Sequence, residues 1–123
     1  MLNSLLRFNL LLSSSLAAAL LLFTASSLAF YGVAEEAHLV FMTRLYGGAH
    51  LVFALLIWQA LRADQAQLRQ ALVLSLCVGD SLATGLALAA QRDDLINAYG
   101  WANVGLQSLF AVGYGCALLP RRR

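Results

Sequence analysis

The chain has 123 residues, of which 61% are hydrophobic and only 11% charged, with a net charge of +2 and a mean hydropathy of +0.75. A soluble domain carries about 25% charged residues, and one of this size buries only about two-thirds of its chain area, so the remaining apolar surface must face lipid. That excludes a water-soluble enzyme, and +2 is too little charge for a nucleic-acid binder.

A bilayer takes about 20 apolar residues of helix, and four runs qualify: residues 10–34, 37–61, 71–90 and 95–119. They are separated by "EEAH", "RADQAQLRQ" and "QRDD". Connections this short make neighbouring helices antiparallel. The expectation is an all-α, single-domain, integral membrane four-transmembrane-helix up-down-up-down bundle covering residues 1–123.

The first run has a rival reading as a signal peptide, with Arg7 as its positive flank and Ser27-Leu28-Ala29 as a cleavage site. Because apolar residues continue past Ala29, a retained helix is expected. Its Ser13 to Ser15, Thr24, Ser26 and Ser27 are expected to bond their own backbone. The second run is interrupted by Arg44, expected to snorkel to the outer surface, the alternative being a turn inward to meet an acid such as Glu35 or Asp80. Glu35 and Glu36 precede the second helix and Asp93 and Asp94 the fourth, where acids suit free helix amides. Pro120 ends the last helix, and the arginines behind it anchor to headgroups.

All eight basic residues are arginine, and their placement sets the orientation. Arg7, Arg62, Arg69, Arg121, Arg122 and Arg123 fall on one side; Arg44 and Arg92 fall on the other, with the four acids. Both termini are therefore expected in the cytoplasm, the chain lying in a bacterial inner membrane. Tyr31, Tyr99 and Trp101 would sit at the outer interface and Trp58 at the inner one.

Asp80 lies ten residues into the third run. An acid near a bilayer centre is costly and tends to face a bundle interior or cavity. At 1.5 Å per residue, Asp80, His50 and Gln107 all lie about 15–20 Å deep, one on each of three helices. On helix three, Asp80, Thr84 and Gln91 share a face; on helix four, Asn103, Gln107 and Tyr114 do the same, and Tyr46 and His50 form an i,i+4 pair on helix two. These stripes predict a polar seam inside the bundle, with His50, Asp80, Thr84, Asn103, Gln107, Tyr46 and Tyr114 as candidate ligand-binding residues. In that seam Asp80 and His50 would exchange a proton or neutralise each other. The plainer use of such groups is cohesion, for interhelical hydrogen bonds hold membrane helices together. Small-residue pairs point the same way: Gly79 with Ala83, Ser81 with Gly85, Ala111 with Gly115, and Gly113 with Ala117.

No metal or cofactor is expected. The two histidines, His38 and His50, are too far apart to share a ligand, and Cys77 and Cys116 lie at different depths without a CxxC. No phosphate loop, nucleophile elbow or HExxH is present, so the chain reads as a non-enzyme.

The stretch "RLYGGAHLVFALLIW" from Arg44 to Trp58, with "NAYGWANVGLQ" from Asn97 to Gln107, resembles a group of small bacterial four-helix membrane proteins known as a domain of unknown function. Arg44, Gly47, Trp58, Gly100 and Trp101 carry the resemblance, and the group often has a histidine where this chain has Asp80. The resemblance implies the fold and no activity. Small multidrug-resistance transporters carry a glutamate in helix one, where this chain has no acid. The pore motifs of the small dimeric fluoride channels are not recognisable either.

The leading expectation is thus an accessory or stabilising subunit of a larger complex, partnered in the bilayer by other integral membrane proteins or by its own copies, and not by nucleic acid. The second is a binder of a lipophilic or cationic small molecule, with Asp80 as counter-ion, His50, Asn103 and Gln107 as polar contacts, and Trp58 or Tyr114 lining the pocket. The third is a proton-coupled carrier that titrates at Asp80.

Overall fold

The computed structural model describes residues 1–119; the expectations for Pro120 and Arg121 to Arg123 lie outside the described residues. Those residues form five helices: α1 (Leu2–Leu22), α2 (Thr24–Phe30), α3 (Ala37–Arg62), α4 (Ala66–Arg92) and α5 (Gly100–Leu118). Among them α1, α3 and α4 are long and apolar enough to cross a membrane. α5 is shorter and carries Asn103 and Gln107 within its length.

The helices start and stop where hydrogen bonding dictates rather than where hydropathy does. α1 begins at Leu2 and α4 at Ala66, both ahead of the apolar runs, because Ala66-Gln67-Leu68-Arg69-Gln70 are good helix formers in any solvent. The connection from α3 to α4 is thereby only Ala63 to Gln65.

The first run is not one helix. Phe23 breaks it at φ −120° and ψ 44°. The Ser27 hydroxyl reaches back to the Ala19 carbonyl at 3.1 Å, and Thr24 donates to the Leu20 carbonyl at 2.7 Å. A side chain inserted into the helical ladder is a recognised cause of a kink. The expectation that these hydroxyls bond their own backbone holds for Thr24 and Ser27. Arg44 donates to the Thr24 hydroxyl at 3.4 Å from an exposed position, so it braces the kink rather than meeting an acid.

The acids act differently from the expected caps. Glu36 precedes α3 without a capping hydrogen bond, and its carboxylate instead approaches the His38 ring at 3.5 Å. Asp93 and Asp94 terminate α4 rather than start α5. Asp93 is its C-cap, and Asp94 takes the left-handed conformation at φ 53°, which aspartate tolerates better than most residues. The chain then needs a loop before α5, and Asn97 organises it. Its side-chain amide donates to the Phe30 carbonyl at 2.7 Å, its backbone amide to the Tyr31 carbonyl at 3.0 Å, and its side-chain oxygen Oδ1 accepts from the Tyr99 backbone amide at 3.1 Å. The two acidic loops therefore share one end of the molecule. At the other end the Arg69 guanidinium donates to Asn3.

α1 packs chiefly on α3, and α4 on α5; α3 with α4 and α1 with α5 complete the ring. Leu6, Ile57, Ala60, Val73, Leu76, Phe110 and Tyr114 fill the core, with all four long helices contributing. Gly47 allows the α1 approach, since a Cβ there would lie 2.9 Å from the Leu20 Cβ. Mid-helix glycine costs about 1 kcal/mol in water, but in lipid the freed backbone groups would find no other partner, so the helix persists. The small-residue pairs divide. Gly79 and Gly113 face inward against Phe53 and Leu5, whereas nothing lies in front of Gly85, and Ser81 beside it is exposed.

Polarity runs inside out. Leu11, Leu22, Leu45, Leu74, Leu82, Leu86 and Val112 are exposed, while Asn9, Ser13, His50, Asp80 and Gln107 are buried. Water would reverse that distribution; lipid favours it.

Candidate functional site

Most of the buried polar groups meet in one place. Asn9 and Ser13 from α1, His50 from α3, Asp80 from α4 and Gln107 from α5, together with the exposed Tyr46 of α3, line a cavity of about 80 Å³ with Leu12, Leu16, Phe53 and Phe110. Each side chain is there because of helical spacing: Asn9 and Ser13, like Tyr46 and His50, stand four apart and so project from one face.

Two kinds of polar group line this chamber. The first kind is satisfied. Ser13 donates to the Asn9 carbonyl oxygen at 2.9 Å, and the Asn9 amide donates to the Tyr114 hydroxyl at 2.9 Å. That chain ties α1 to α5 across 105 residues of sequence. The second kind is not satisfied. Asp80 is 2% exposed, and its Oδ2 has no partner; nor does either ring nitrogen of His50. No ion pair joins His50 to Asp80 among the described residues. Instead the Tyr46 ring stands edge-on to the imidazole at 4.7 Å between centroids. A buried polar atom without a partner costs about 1–3 kcal/mol, more when charged, so these atoms are poised to gain from a guest.

The structure therefore sorts the seven predicted residues. Asp80, His50, Gln107 and Tyr46 line the chamber. Tyr114 is fully buried below it, reached through Asn9 and packed against Phe110. Thr84 spends its hydroxyl on the Asp80 backbone carbonyl at 2.8 Å and does not face the cavity. Asn103 lines a different, larger cavity toward the acidic loops. Gln91, from the same stripe as Asp80, donates to the Asn97 carbonyl at 3.3 Å and serves the loop. Trp58 points away from the chamber and lies under the Arg62 guanidinium at 4.7 Å.

Asn9 is the residue that sequence reasoning missed. It lies one position before the strictly apolar run, and an apolar window discards it. The signal was present in the Asn9–Ser13 spacing, which repeats that of Tyr46 and His50. Ser13 accordingly bonds a side chain rather than its own helix backbone.

Among the described residues no three of His, Cys, Asp or Glu lie close enough together to hold a metal ion. The donors around the chamber instead suit a monovalent guest: one carboxylate, one imidazole, two amides, a phenol and a hydroxyl. Water takes about 30 Å³ of liquid volume, so the chamber has room for two or three waters or for a small cationic head. Protein-family models, curated proteins and solved structures contain no match to this chain.

Proposed function

We propose that the protein is a four-span, non-enzymatic protein of a bacterial inner membrane, with both termini cytoplasmic, that binds a small cationic group in the Asp80 chamber. The observation that carries this reading is the unpartnered Asp80 Oδ2, 2% exposed on a cavity wall. A carboxylate so placed gains a counter-charge from a guest ammonium, and the amides of Asn9 and Gln107 and the hydroxyls of Ser13 and Tyr46 supply orienting hydrogen bonds. A carrier that exchanges such a guest for a proton at Asp80 is a natural extension. The arginine bias supports the orientation, and the resemblance of residues 44–58 and 97–107 to small bacterial four-helix proteins supports the span count.

The test uses the protein in lipid nanodiscs with radiolabelled methylammonium as the probe. Saturable binding that weakens at least about tenfold, or about 1.4 kcal/mol, in Asp80→Asn supports the reading. No saturable binding to the wild type, or binding that Asp80→Asn leaves unchanged, overturns it. Gel filtration of both proteins shows that the comparison is between folded species.

A second reading, the accessory subunit of a larger membrane complex, draws on the outward Ser81 and Gly85, a small-residue pair that nothing covers. Native mass spectrometry of protein gently extracted from its host membrane separates the two. Fixed stoichiometry with larger membrane proteins favours the subunit. Protein emerging alone or as a homo-oligomer favours the binder.

A further inference from the structure

A second cavity of about 500 Å³ opens toward the acidic-loop end, walled by residues of α1, α2, α3 and α5, by the end of α4, and by the loops between them. Its wall is mostly aliphatic, from Leu20, Leu28, Leu39 and Ile96, with Asn103 and Tyr31 among its few polar groups. Leu16 and Tyr46 line both this vestibule and the Asp80 chamber, so the two spaces adjoin at those side chains. Their sizes are complementary. Small-molecule sites run about 300–1,000 Å³, a range that contains the vestibule and excludes the chamber. The charged group lies in the small space and the apolar surface in the large one.

We infer that the two cavities are one site for an amphipathic amine. Its hydrocarbon or aromatic body occupies the vestibule, and its ammonium head passes Tyr46 to meet Asp80. This rests on the chamber reading above and adds the chemical class of the guest. The vestibule alone would accept any apolar molecule, a lipid tail included. The buried Asp80 carboxyl beyond Tyr46, whose Oδ2 has no partner, selects for a positive head, because only a positive head supplies the counter-charge that a buried carboxylate needs. Tyr46 suits the passage: its ring is packed edge-on to His50 on one side, and it shares the vestibule wall with Asn103 on the other.

The experiment is displacement of radiolabelled methylammonium from the full chain in nanodiscs by two amines with the same five-carbon chain. Pentylamine lacks a body, and dansylcadaverine carries an aromatic one. In the wild type dansylcadaverine should displace methylammonium at about tenfold lower concentration, or about 1.4 kcal/mol. Thr43→Trp, which fills the vestibule wall without touching the chamber, should erase that advantage while methylammonium itself still binds. Met42→Trp, at an exposed position on the same wall, repeats the test should Thr43→Trp not fold. Equal potency of the two amines in the wild type overturns the inference, as does an advantage that survives the filled vestibule. So does a co-purifying phospholipid that dansylcadaverine does not release. In each of these cases methylammonium binding persists and the chamber reading stands; its absence from the wild type overturns both.

Discussion

The Asn9 amide donates to the Tyr114 hydroxyl at 2.9 Å, joining the first long helix to the last through a bond that neither helix could make alone. Hydrogen bonds of this kind in membrane proteins contribute about 0.6 kcal/mol on average and up to about 1.7 kcal/mol. Asn9→Ala and Tyr114→Phe should each lower stability, and the double-mutant cycle should return a coupling within that range. SDS-driven unfolding of the four proteins measures it. A coupling of zero would mean that the bond contributes nothing beyond packing.

Glycine substitutions should divide by what stands in front of them. Gly47→Ala would place a methyl 2.9 Å from the Leu20 Cβ, which an already packed interface accommodates only by shifting, at about 1–3 kcal/mol. Gly85→Ala meets nothing within 4 Å and should change monomer stability by less than about 0.5 kcal/mol. If Gly85→Ala instead disrupts co-purification of larger proteins, the outward Ser81–Gly85 pair is an interface.

The proposed orientation has a direct readout. In a background with Cys77→Ser and Cys116→Ser, Asp94→Cys in the acidic loop should react with a membrane-impermeant maleimide in intact cells. Asp64→Cys, in the connection between α3 and α4, should react only after lysis. The reverse pattern would invert the orientation.

The kink at Phe23 should depend on one hydroxyl. Ser27→Ala removes the donor to the Ala19 carbonyl and should straighten the segment from α1 into α2, lengthening the distance between spin labels placed at Ser4 and Ala29. An unchanged distance would assign the bend to the packing around Thr24 and Arg44 instead.

How far the sequence disclosed this arrangement depends on the kind of signal. The apolar runs gave the membrane class and the positions of the long helices, because hydropathy reports the solvent that a helix meets. They misplaced helix ends, since Ala66 to Gln70 is polar and helical, and Asp94 ends a helix through its backbone angle rather than its charge. Depth and angular spacing brought Asp80, His50, Gln107 and Tyr46 to one chamber. The same argument grouped Thr84 and Asn103 with them, because a 100° period defines a face but not what that face meets. Thr84 turned to its own backbone, a local bond always open to a helical threonine. The vestibule was invisible, since its wall is drawn from all five helices and the loops between them, and the break at Phe23 between two of them is announced by no proline or glycine.

The composition of α5 bears on how the protein is made. It carries Asn103 and Gln107 within its apolar length, and it packs most extensively on α4. Arriving at the insertion machinery by itself, such a segment would expose both amides to lipid. Arriving behind α4, it can hide Gln107 and follow its neighbour into lipid as a hairpin. Appended to a reporter, α5 alone should be translocated or left outside, and α4–α5 together should integrate. The last helix is then a passenger of the one before it, and a mutation that spoils α4 would cost the cell both.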